Sequence, residues 1–306
     1  MNSLLTLLDW PAERVQEVLQ LAIDEKKAFK NGRGSRALVG KTVALFFEKP
    51  SLRTYTTFQV GVSQLGGSCT DLDPNTIGIG KRESLEDIAR CLGRWVDGIV
   101  IRCFEQSLVE GFQEHSAVPI INALTDDYHP CQALALAQTM TEHFKEIKGK
   151  TIVFVGDGNN VANSFAILAA KLGMNFTLAC PKGYEQPQEV QDTLVPLFEK
   201  HGVEYQTLND PKLAVKKADL IYTDVWASMG QEEEQKKRAQ DFADFQVNQE
   251  LVSAAPKSAL VSHCLPAHRG EEITHEVLES KRCICFDEAE NRLHAQKGVL
   301  LHLLAE

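Results

Sequence analysis

The chain has 306 residues, of which 43% are hydrophobic, and its formal net charge is −10. This length predicts two globular domains of about 150 residues each. The acidic balance disfavours a nucleic-acid-binding protein, because phosphate contacts need a surplus of Lys and Arg. A local cluster of Arg and His in such a chain therefore indicates an anionic ligand.

The cysteines and the N-terminus favour an intracellular protein. None of the eight cysteines forms a CxxC pair, so we expect reduced, buried thiols rather than a metal site. The first 22 residues lack a basic segment followed by a long apolar core. No stretch approaches the roughly 18 apolar residues of a membrane span. We therefore expect a cytoplasmic protein with no membrane partner.

Apolar strand-type runs alternate with helical segments through the first half of the chain. Such alternation is typical of parallel sheets whose strands are connected by helices. The predicted elements are an amphipathic helix from residue 9, strands at 42–47, 98–103 and 118–123, and helices at 52–65, 84–95 and 129–144.

The second half repeats this pattern after the charged segment 144–150, where we place the domain junction. Its predicted elements are strands at 151–157, 176–180, 219–225, 259–265 and 283–287, and a terminal amphipathic helix over 292–306.

The fold class that follows is α/β, with two doubly wound parallel-sheet domains joined by bridging helices. The expected domains are 1–144 and 145–290. The C-terminal helix, at about 290–306, is expected to pack back on the first domain.

The stretch "PSLRTYTT" at 50–57 places hydroxyls and a guanidinium at a helix start. Ser51 is a favourable N-cap, so the helix is expected to begin near residue 52. The first helical turn has unpaired N–H groups and the positive end of the dipole. With Arg53 and the Thr54 hydroxyl, this turn can bind a phosphate, although it also fits a capped helix with a surface arginine.

Further basic and polar residues follow predicted strands, where open α/β sheets bind ligands. Arg102 ends the strand at 98–103, and His129 and Gln132 open the helix at 129–144. Arg292 lies in "ENRLHAQK" near the C-terminus. Together with Arg53, these residues indicate a site for an anion.

The glycine-rich stretch "VFVGDGNNVANS" only partly matches a dinucleotide-binding motif. Val161 stands where the third glycine belongs, and the next strand ends in Cys180 instead of an acidic residue. We therefore do not expect a nicotinamide cofactor. The adjacent Cys264 and His263 in "HCLPAHRG" also do not favour a cysteine nucleophile, because neighbouring strand residues point to opposite faces.

Taken together, the motifs resemble those of the ornithine carbamoyltransferases, in the aspartate/ornithine transcarbamoylase superfamily. They are "PSLRT", "DDYHPCQAL", "GDGNNVANS", "DVWASMGQEEE", "HCLPAHRGEE" and "ENRLHAQK". Their order and spacing are those of the family over nearly the whole chain.

The resemblance implies that carbamoyl phosphate binds at the helix start after Pro50. Arg102 would bridge the phosphate and the carbonyl oxygen, and His129 would donate to that oxygen. Gln132, Cys264 and the carbonyl of Leu265 would lie at the carbamoyl amide. The implied carbamoyl phosphate site comprises Ser51, Leu52, Arg53, Thr54, Arg102, His129, Gln132, Cys264, Leu265 and Arg292.

The resemblance also implies an ornithine site in the second domain. Asn160 and Asp224 would bind the α-amino acid end, and Ser228 and Met229 would belong to a loop that closes over ornithine. Cys264 would lie beside Asp224 near the δ-amine. The implied catalytic residues are Arg53, Arg102, His129, Asp224 and Cys264, with no metal and no organic cofactor.

Three positions depart from the family pattern. Tyr55 replaces an arginine that would tie the helix to acidic neighbours, and Leu52 replaces a hydroxyl residue. Gly78 stands where many members have a glutamine that reaches a neighbouring subunit, although Lys81 or Arg82 can substitute. The resemblance implies a homotrimer, or a multiple of one, and a place in arginine biosynthesis.

Three alternatives remain open. A related transcarbamoylase could act on putrescine or an N-acylated ornithine, but a residue such as Asp224 for an α-amino acid group favours free ornithine. A Rossmann-type oxidoreductase would need tight nicotinamide binding. A non-catalytic homologue would not need the polar residues named above, and the sequence does not separate a biosynthetic from a catabolic role.

Overall fold

The computed structural model describes residues 3–227 and 234–305. The chain divides into two compact units. Unit 1 comprises Met1–Gln138 and Glu290–Glu306, and unit 2 comprises Thr139–Ala289.

Unit 1 is built on four parallel strands in the order β2-β1-β3-β4. Its strands are β1 (Thr42–Phe47), β2 (Ser68–Leu72), β3 (Gly98–Arg102) and β4 (Ile120–Leu124), and its helices are α1 (Ala12–Lys30), α2 (Arg53–Gln64), α3 (Pro74–Ile77), α4 (Leu85–Leu92) and α5 (Gln106–His115).

Unit 2 is built on five parallel strands in the order β7-β6-β5-β8-β9. The unit boundaries fall inside α6 (Pro130–Phe144) and α13 (Cys285–Leu304). The strands of unit 2 are β5 (Thr151–Val155), β6 (Asn175–Ala179), β7 (Tyr205–Leu208), β8 (Leu220–Thr223) and β9 (Leu260–His263), and its other helices are α7 (Asn160–Lys171), α8 (Gln188–His201), α9 (Pro211–Ala214), α10 (Gln235–Asp241), α11 (Gln249–Ala254) and α12 (His275–Leu278).

The central strands are apolar and buried, which explains why they form. Residues 43–46 of β1 and 152–155 of β5 are fully buried, as expected for strands covered on both faces. The predicted parallel α/β architecture is therefore confirmed. Among the described residues, none of the helices is both long and apolar enough to cross a membrane.

Three strands differ from the sequence prediction. The edge strands β2 and β7 were not predicted, because their side chains are mostly exposed or half-exposed and lack an apolar run. The strand predicted at 283–287 is wrong: Cys283 forms only an isolated bridge with Val261, and α13 already begins at Cys285.

In both sheets the strand order reverses beside the first strand of the unit. In unit 1 the reversal lies between β1 and β3, and in unit 2 it lies between β5 and β8. Ligands of open α/β sheets bind outside the carboxyl ends of the strands at such points. The candidate site residues of each unit follow these strands.

Candidate active site

In unit 1 the polar residues after β1, β3 and β4 meet at one edge of the sheet. Ser51 follows β1, Arg102 ends β3, and His129 stands just before α6. Arg102 Nη1 donates to Ser51 Oγ over 3.3 Å. The structure thus brings together residues that are 51 positions apart in the chain.

The helix start after Pro50 differs in one detail from the sequence prediction. Helix α2 begins at Arg53 with Leu52 at the N-cap position, and no side chain caps it. Ser51 is therefore not the capping residue; its hydroxyl accepts from Arg102 instead. Leu52 is 75% exposed, so its side chain does not belong to the core of unit 1.

Arg292 from the C-terminal helix is held inside unit 1. Its Nη2 donates to Thr54 Oγ1 over 2.6 Å, and its Nη1 donates to Gln132 Oε1. All three side chains are 1–2% exposed. Both acceptors are uncharged, so these contacts orient the guanidinium without neutralising it.

The basic residues of unit 1 raise the positive potential around one another. Burial, followed by the charges of Arg292 and Arg53, lowers the pKa of Arg102 to about 10. Burial, with the charges of Arg292 and Arg102, holds the pKa of His129 well below its usual value of 6.5. At neutral pH the cluster therefore combines guanidinium charges with a neutral imidazole, which suits an anionic ligand and a hydrogen bond to a neutral carbonyl.

In unit 2 a carboxylate and a thiol meet at the carboxyl ends of the strands. Asp224 follows β8 and Cys264 follows β9, and Cys264 Sγ donates to Asp224 Oδ1 over 2.7 Å. Asn159 Nδ2 donates to Asp224 Oδ2 over 3.0 Å, and the backbone N–H of Val225 donates to Oδ1 over 2.8 Å. Three donors thus fix the carboxylate, which is 8% exposed.

Asn159 was missed by the sequence analysis, which named Asn160. Asn159 caps α7, accepting from the backbone N–H groups of Val161 and Ala162, while Asn160 is the first residue of the helix. The Asn159 amide therefore caps the helix with its oxygen and orients Asp224 with its nitrogen. The pair Asn159-Asn160 before the apolar run from Val161 was the available capping signal, although it does not decide which of the two caps the helix.

The turn after β9 is fixed by a buried histidine. His263 Nδ1 accepts from the backbone N–H of Leu265 over 2.8 Å, and His263 Nε2 donates to Glu272 over 3.0 Å. Cys264 Sγ lies 3.8 Å from the same Nδ1. The two side chains do not point to opposite faces as predicted, because β9 ends at His263. His263 is nevertheless poorly placed to act as a base for Cys264, because its Nδ1 already accepts from Leu265.

Among residues 3–227 and 234–305, two groups have a composition that could hold a metal ion. The potential ligand atoms of Asp224, His263 and Cys264 lie within 4.8 Å of one another, as do those of the second group, formed by His268, Glu271 and Glu272. In the first group, hydrogen bonds already explain why the three side chains lie close together. Cys264 bonds to Asp224, and His263 bonds to the backbone N–H of Leu265 and to Glu272.

The glycine-rich turn after β5 has a packing role. A Cβ atom on Gly158 would lie 2.3 Å from the backbone nitrogen of Gln186, so only glycine fits there. This explains the second glycine of the partial dinucleotide motif without a bound dinucleotide.

Tyr55 takes over the tether that the family arginine would provide. Its hydroxyl donates to Asp71 Oδ1 over 2.7 Å and accepts from Gln59 Nε2 over 2.9 Å. The phenol thus connects α2 to the edge strand β2 without a charge.

The loop around Gly78 is compact in unit 1. Gly78 has a left-handed φ of 62°, and Lys81 lines a cavity of about 780 Å³ together with Lys49 and Ser51.

Ser228 and Met229, named as ornithine-binding residues, lie outside the described residues.

Known proteins share this sequence and fold. Residues 2–142 match the carbamoyl-P binding domain, and residues 148–303 match the Asp/Orn binding domain, of aspartate/ornithine carbamoyltransferase. The ornithine carbamoyltransferase of Halalkalibacterium halodurans is 46% identical over 99% of this chain and 95% of its own length. The enzyme of that name from Thermococcus kodakarensis is 47% identical over 98% of this chain and 95% of its own length.

Solved structures agree with these relatives. The ornithine carbamoyltransferase from Pyrococcus furiosus superposes with a TM-score of 0.96 at 44% identity, over 99% of this chain and 97% of its own. The one from Campylobacter jejuni, described as anabolic, gives a TM-score of 0.93 at 34% identity over 99% of both chains. The chain belongs to the aspartate/ornithine carbamoyltransferase family.

Proposed function

We infer that this chain transfers the carbamoyl group of carbamoyl phosphate to the δ-amine of L-ornithine, giving L-citrulline and phosphate. The relatives of that activity share nearly half of its residues over almost its full length. The observation that carries the inference is the convergence of Arg53, Arg102 and Arg292 beside a neutral, buried His129.

The proposed carbamoyl phosphate site lies in unit 1. The first turn of α2, with Ser51, Leu52, Arg53 and Thr54, binds the phosphate through backbone N–H groups and side chains. Arg102 bridges the phosphate and the carbonyl oxygen, and Arg292 completes the set of cations. The hydrogen bond from Arg102 to Ser51 and that from Arg292 to Thr54 support this assignment, because each links an arginine to the helix start.

His129 and Gln132 are proposed to bind the carbamoyl group itself. A neutral imidazole donates to the carbonyl oxygen without adding a charge that would have to be desolvated, and the depressed pKa of His129 supports this form. Gln132 accepts from the carbamoyl amide. The contacts of Leu265 and Cys264 with the amide remain predictions of the family resemblance.

The proposed ornithine site lies in unit 2. Asp224 binds the α-ammonium group, Asn160 binds the same end of the substrate, and Cys264 lies near the δ-amine. Ser228 and Met229 are proposed to contact ornithine as well. The hydrogen bonds that orient Asp224 support its role, because they leave the carboxylate in one fixed position.

The reaction needs a neutral amine, because a protonated amine has no lone pair. The δ-nitrogen attacks the carbonyl carbon, and the bond from that carbon to the phosphate oxygen then breaks. The leaving phosphate accepts the amine proton, so atoms and charges balance without a covalent enzyme intermediate. The protein contributes by orienting the substrates and by stabilising charge at the carbonyl oxygen and phosphate.

The domain roles follow this division. We propose that residues 1–144, with the helix at about 290–306, form the carbamoyl phosphate-binding domain, and that residues 145–290 form the ornithine-binding domain. The matched family domains at 2–142 and 148–303 support the order of the two roles.

A homotrimer, a cytoplasmic location and a role in arginine biosynthesis are proposed as well. Leu52 and Trp95 of unit 1 are 75% and 72% exposed, and a subunit contact would cover such apolar surface. None of the eight cysteines, which all lie in the described residues, forms a disulfide, as in proteins of reducing compartments. Light scattering after size-exclusion chromatography tests the oligomeric state.

One experiment separates the substrates. Purified chain is given carbamoyl phosphate with ornithine, putrescine, N-acetylornithine or aspartate, and the ureido product is measured. We expect citrulline from ornithine at a kcat/KM at least about tenfold above the others, because an unpaired Asp224 carboxylate penalises putrescine. Equal or faster turnover of putrescine or N-acetylornithine would show that ornithine is not the preferred substrate.

A further inference from the structure

One basic residue of the charged run after the DVWASMG motif is buried. The run is "QEEEQKKR", residues 231–238. Its last residue, Arg238, lies in α10 and is only 7% exposed, whereas the neighbouring Lys236 and Lys237 are exposed. A buried arginine needs partners that account for its burial.

Arg238 contacts two turns that leave the sheet of unit 2. Its Nη1 donates to Asp157 Oδ2 over 2.7 Å and to the backbone carbonyl of Trp226 over 3.0 Å. Its Nε donates to Glu234 Oε2 over 3.0 Å, and its guanidinium lies over the Tyr184 ring, 5.1 Å from the centroid. A planar guanidinium can make these bonds and the ring contact together, and a lysine ammonium cannot.

These two turns carry Asn159 and Asp224, which are joined by a hydrogen bond in the proposed ornithine site. Asp157 stands two positions before Asn159, and Trp226 stands two positions after Asp224. Asn159 donates to Asp224 over 3.0 Å. One guanidinium therefore holds both backbone segments that determine this hydrogen bond.

The ion pair with Asp157 is not an ordinary surface pair. The side chains of Arg238 and Asp157 are 9% and 15% exposed. Burial raises the pKa of Asp157, and the hydrogen bond and charge of Arg238 oppose that effect. Because the pair is largely removed from water, loss of the arginine would leave a buried carboxylate and would disturb the turn before Asn159.

We propose that Arg238 is a positioning residue for the ornithine site: it fixes the turns after β5 and β8 so that the Asp224 carboxylate faces the α-ammonium of ornithine. This rests on the proposed role of Asp224 in binding ornithine. Arg238 itself touches no substrate and acts through Asp157 and the backbone of Trp226.

The test compares Arg238→Gln and Arg238→Lys with the control Lys236→Gln, an exposed residue on the same helix. Steady-state kinetics give kcat and the KM for ornithine, and calorimetry gives the Kd of carbamoyl phosphate without ornithine. We expect the ornithine KM to rise at least tenfold in Arg238→Gln, with little recovery in Arg238→Lys and no change in the control. The Kd of carbamoyl phosphate should stay within about twofold, because its proposed ligands in unit 1 are unchanged.

A merely structural role predicts a different outcome. If the ornithine KM stays at the wild-type value, or rises only together with the Kd of carbamoyl phosphate, Arg238 does not position the site. The preference for ornithine over putrescine is a second readout: it should fall in Arg238→Gln, since only ornithine uses Asp224. Where Arg238→Gln does not fold, Asp157→Ala removes the same hydrogen bond and must give the same pattern.

Asp224→Asn, measured in the same assays, separates this inference from the proposed function. If Asp224→Asn raises the ornithine KM and Arg238→Gln does not, the inference alone is wrong. If Asp224→Asn leaves the ornithine KM unchanged, the proposed ornithine site is wrong, and the role of Arg238 is overturned with it.

Discussion

The two units place opposite charges at the same position of the same architecture. In unit 1, residues after parallel strands supply Arg102 and His129, joined by Arg292 from the C-terminal helix. In unit 2, the equivalent strand ends supply Asp224 and Cys264. Because both sheets reverse their strand order at these points, the fold provides the location, and the side chains decide whether an anion or an ammonium group is bound.

The two clusters also differ in how they are assembled. Arg292 reaches Thr54 across 238 positions of the chain, so the cation cluster of unit 1 requires the C-terminal helix. The cluster of unit 2 is held by turns that directly follow β5, β8 and β9. Variants in the two units should therefore affect different substrates.

The largest expected effect is on turnover through the arginines of unit 1. Arg53→Ala and Arg102→Ala should each reduce kcat by about 10²–10³-fold, because one donor to the developing oxyanion contributes about 2.7–4 kcal/mol. Arg90→Ala, which removes an exposed arginine on α4, serves as the control. Near-normal turnover in both site variants would remove these arginines from the mechanism.

A smaller effect is expected on the stability of unit 2. Glu272 is fully buried and accepts from His263 Nε2 over 3.0 Å and from the backbone N–H of His268 over 2.6 Å. Glu272→Ala leaves the buried His263 donor without its acceptor and should lower the free energy of unfolding by about 1–3 kcal/mol in urea titrations. Its half-exposed neighbour provides the control: Glu271→Ala should change stability by no more than about 0.5 kcal/mol. Equal effects of the two variants would contradict this account.

Acid sensitivity should arise in unit 1. Burial and the charges of Lys26 and Lys297 lower the pKa of His294 to about 4. Between pH 6.5 and 4 the unfolded chain binds a proton at this histidine that the folded chain does not, so this contribution to stability falls as the pH falls. Lowering the pH from 7 to 5 should destabilise the wild type by about 1–2 kcal/mol more than His294→Gln. An equal loss of stability in the wild type and in His294→Gln would exclude His294 as a cause of the acid sensitivity.

The smallest effect is expected for the uncharged tether of α2. Tyr55→Phe removes the hydrogen bond to Asp71 on an exposed face and should cost about 1 kcal/mol of stability or less. The KM for carbamoyl phosphate should rise at most about threefold, since the backbone of the helix start remains in place. A loss of carbamoyl phosphate binding would show that the tether is essential to the site.

Most of the fold could be predicted from the sequence because buried parallel strands form continuous apolar runs. β1, β3 and β5 are of this kind. The edge strands β2 and β7 are partly exposed and give no such signal. The apolar run at 283–287 was misassigned, since periodicity does not separate a short strand from the buried start of a helix such as α13.

The site was predictable only in part. Residues at strand ends, such as Arg102, are marked by their position after an apolar run. Arg238 is not marked in this way, because its burial depends on Asp157, 81 positions away. A charged residue in a charged run looks exposed until the tertiary contact is known.

The most direct test of the central claim is the binding of carbamoyl phosphate in the absence of ornithine, measured by calorimetry on the wild type, Arg102→Ala and Asp224→Asn. The account predicts a Kd raised about tenfold to a hundredfold in Arg102→Ala, because a hydrogen bond to a charged group is lost, and an unchanged Kd in Asp224→Asn. Wild-type affinity in Arg102→Ala, or lost affinity in Asp224→Asn alone, would contradict the assignment of the two substrates to the two units.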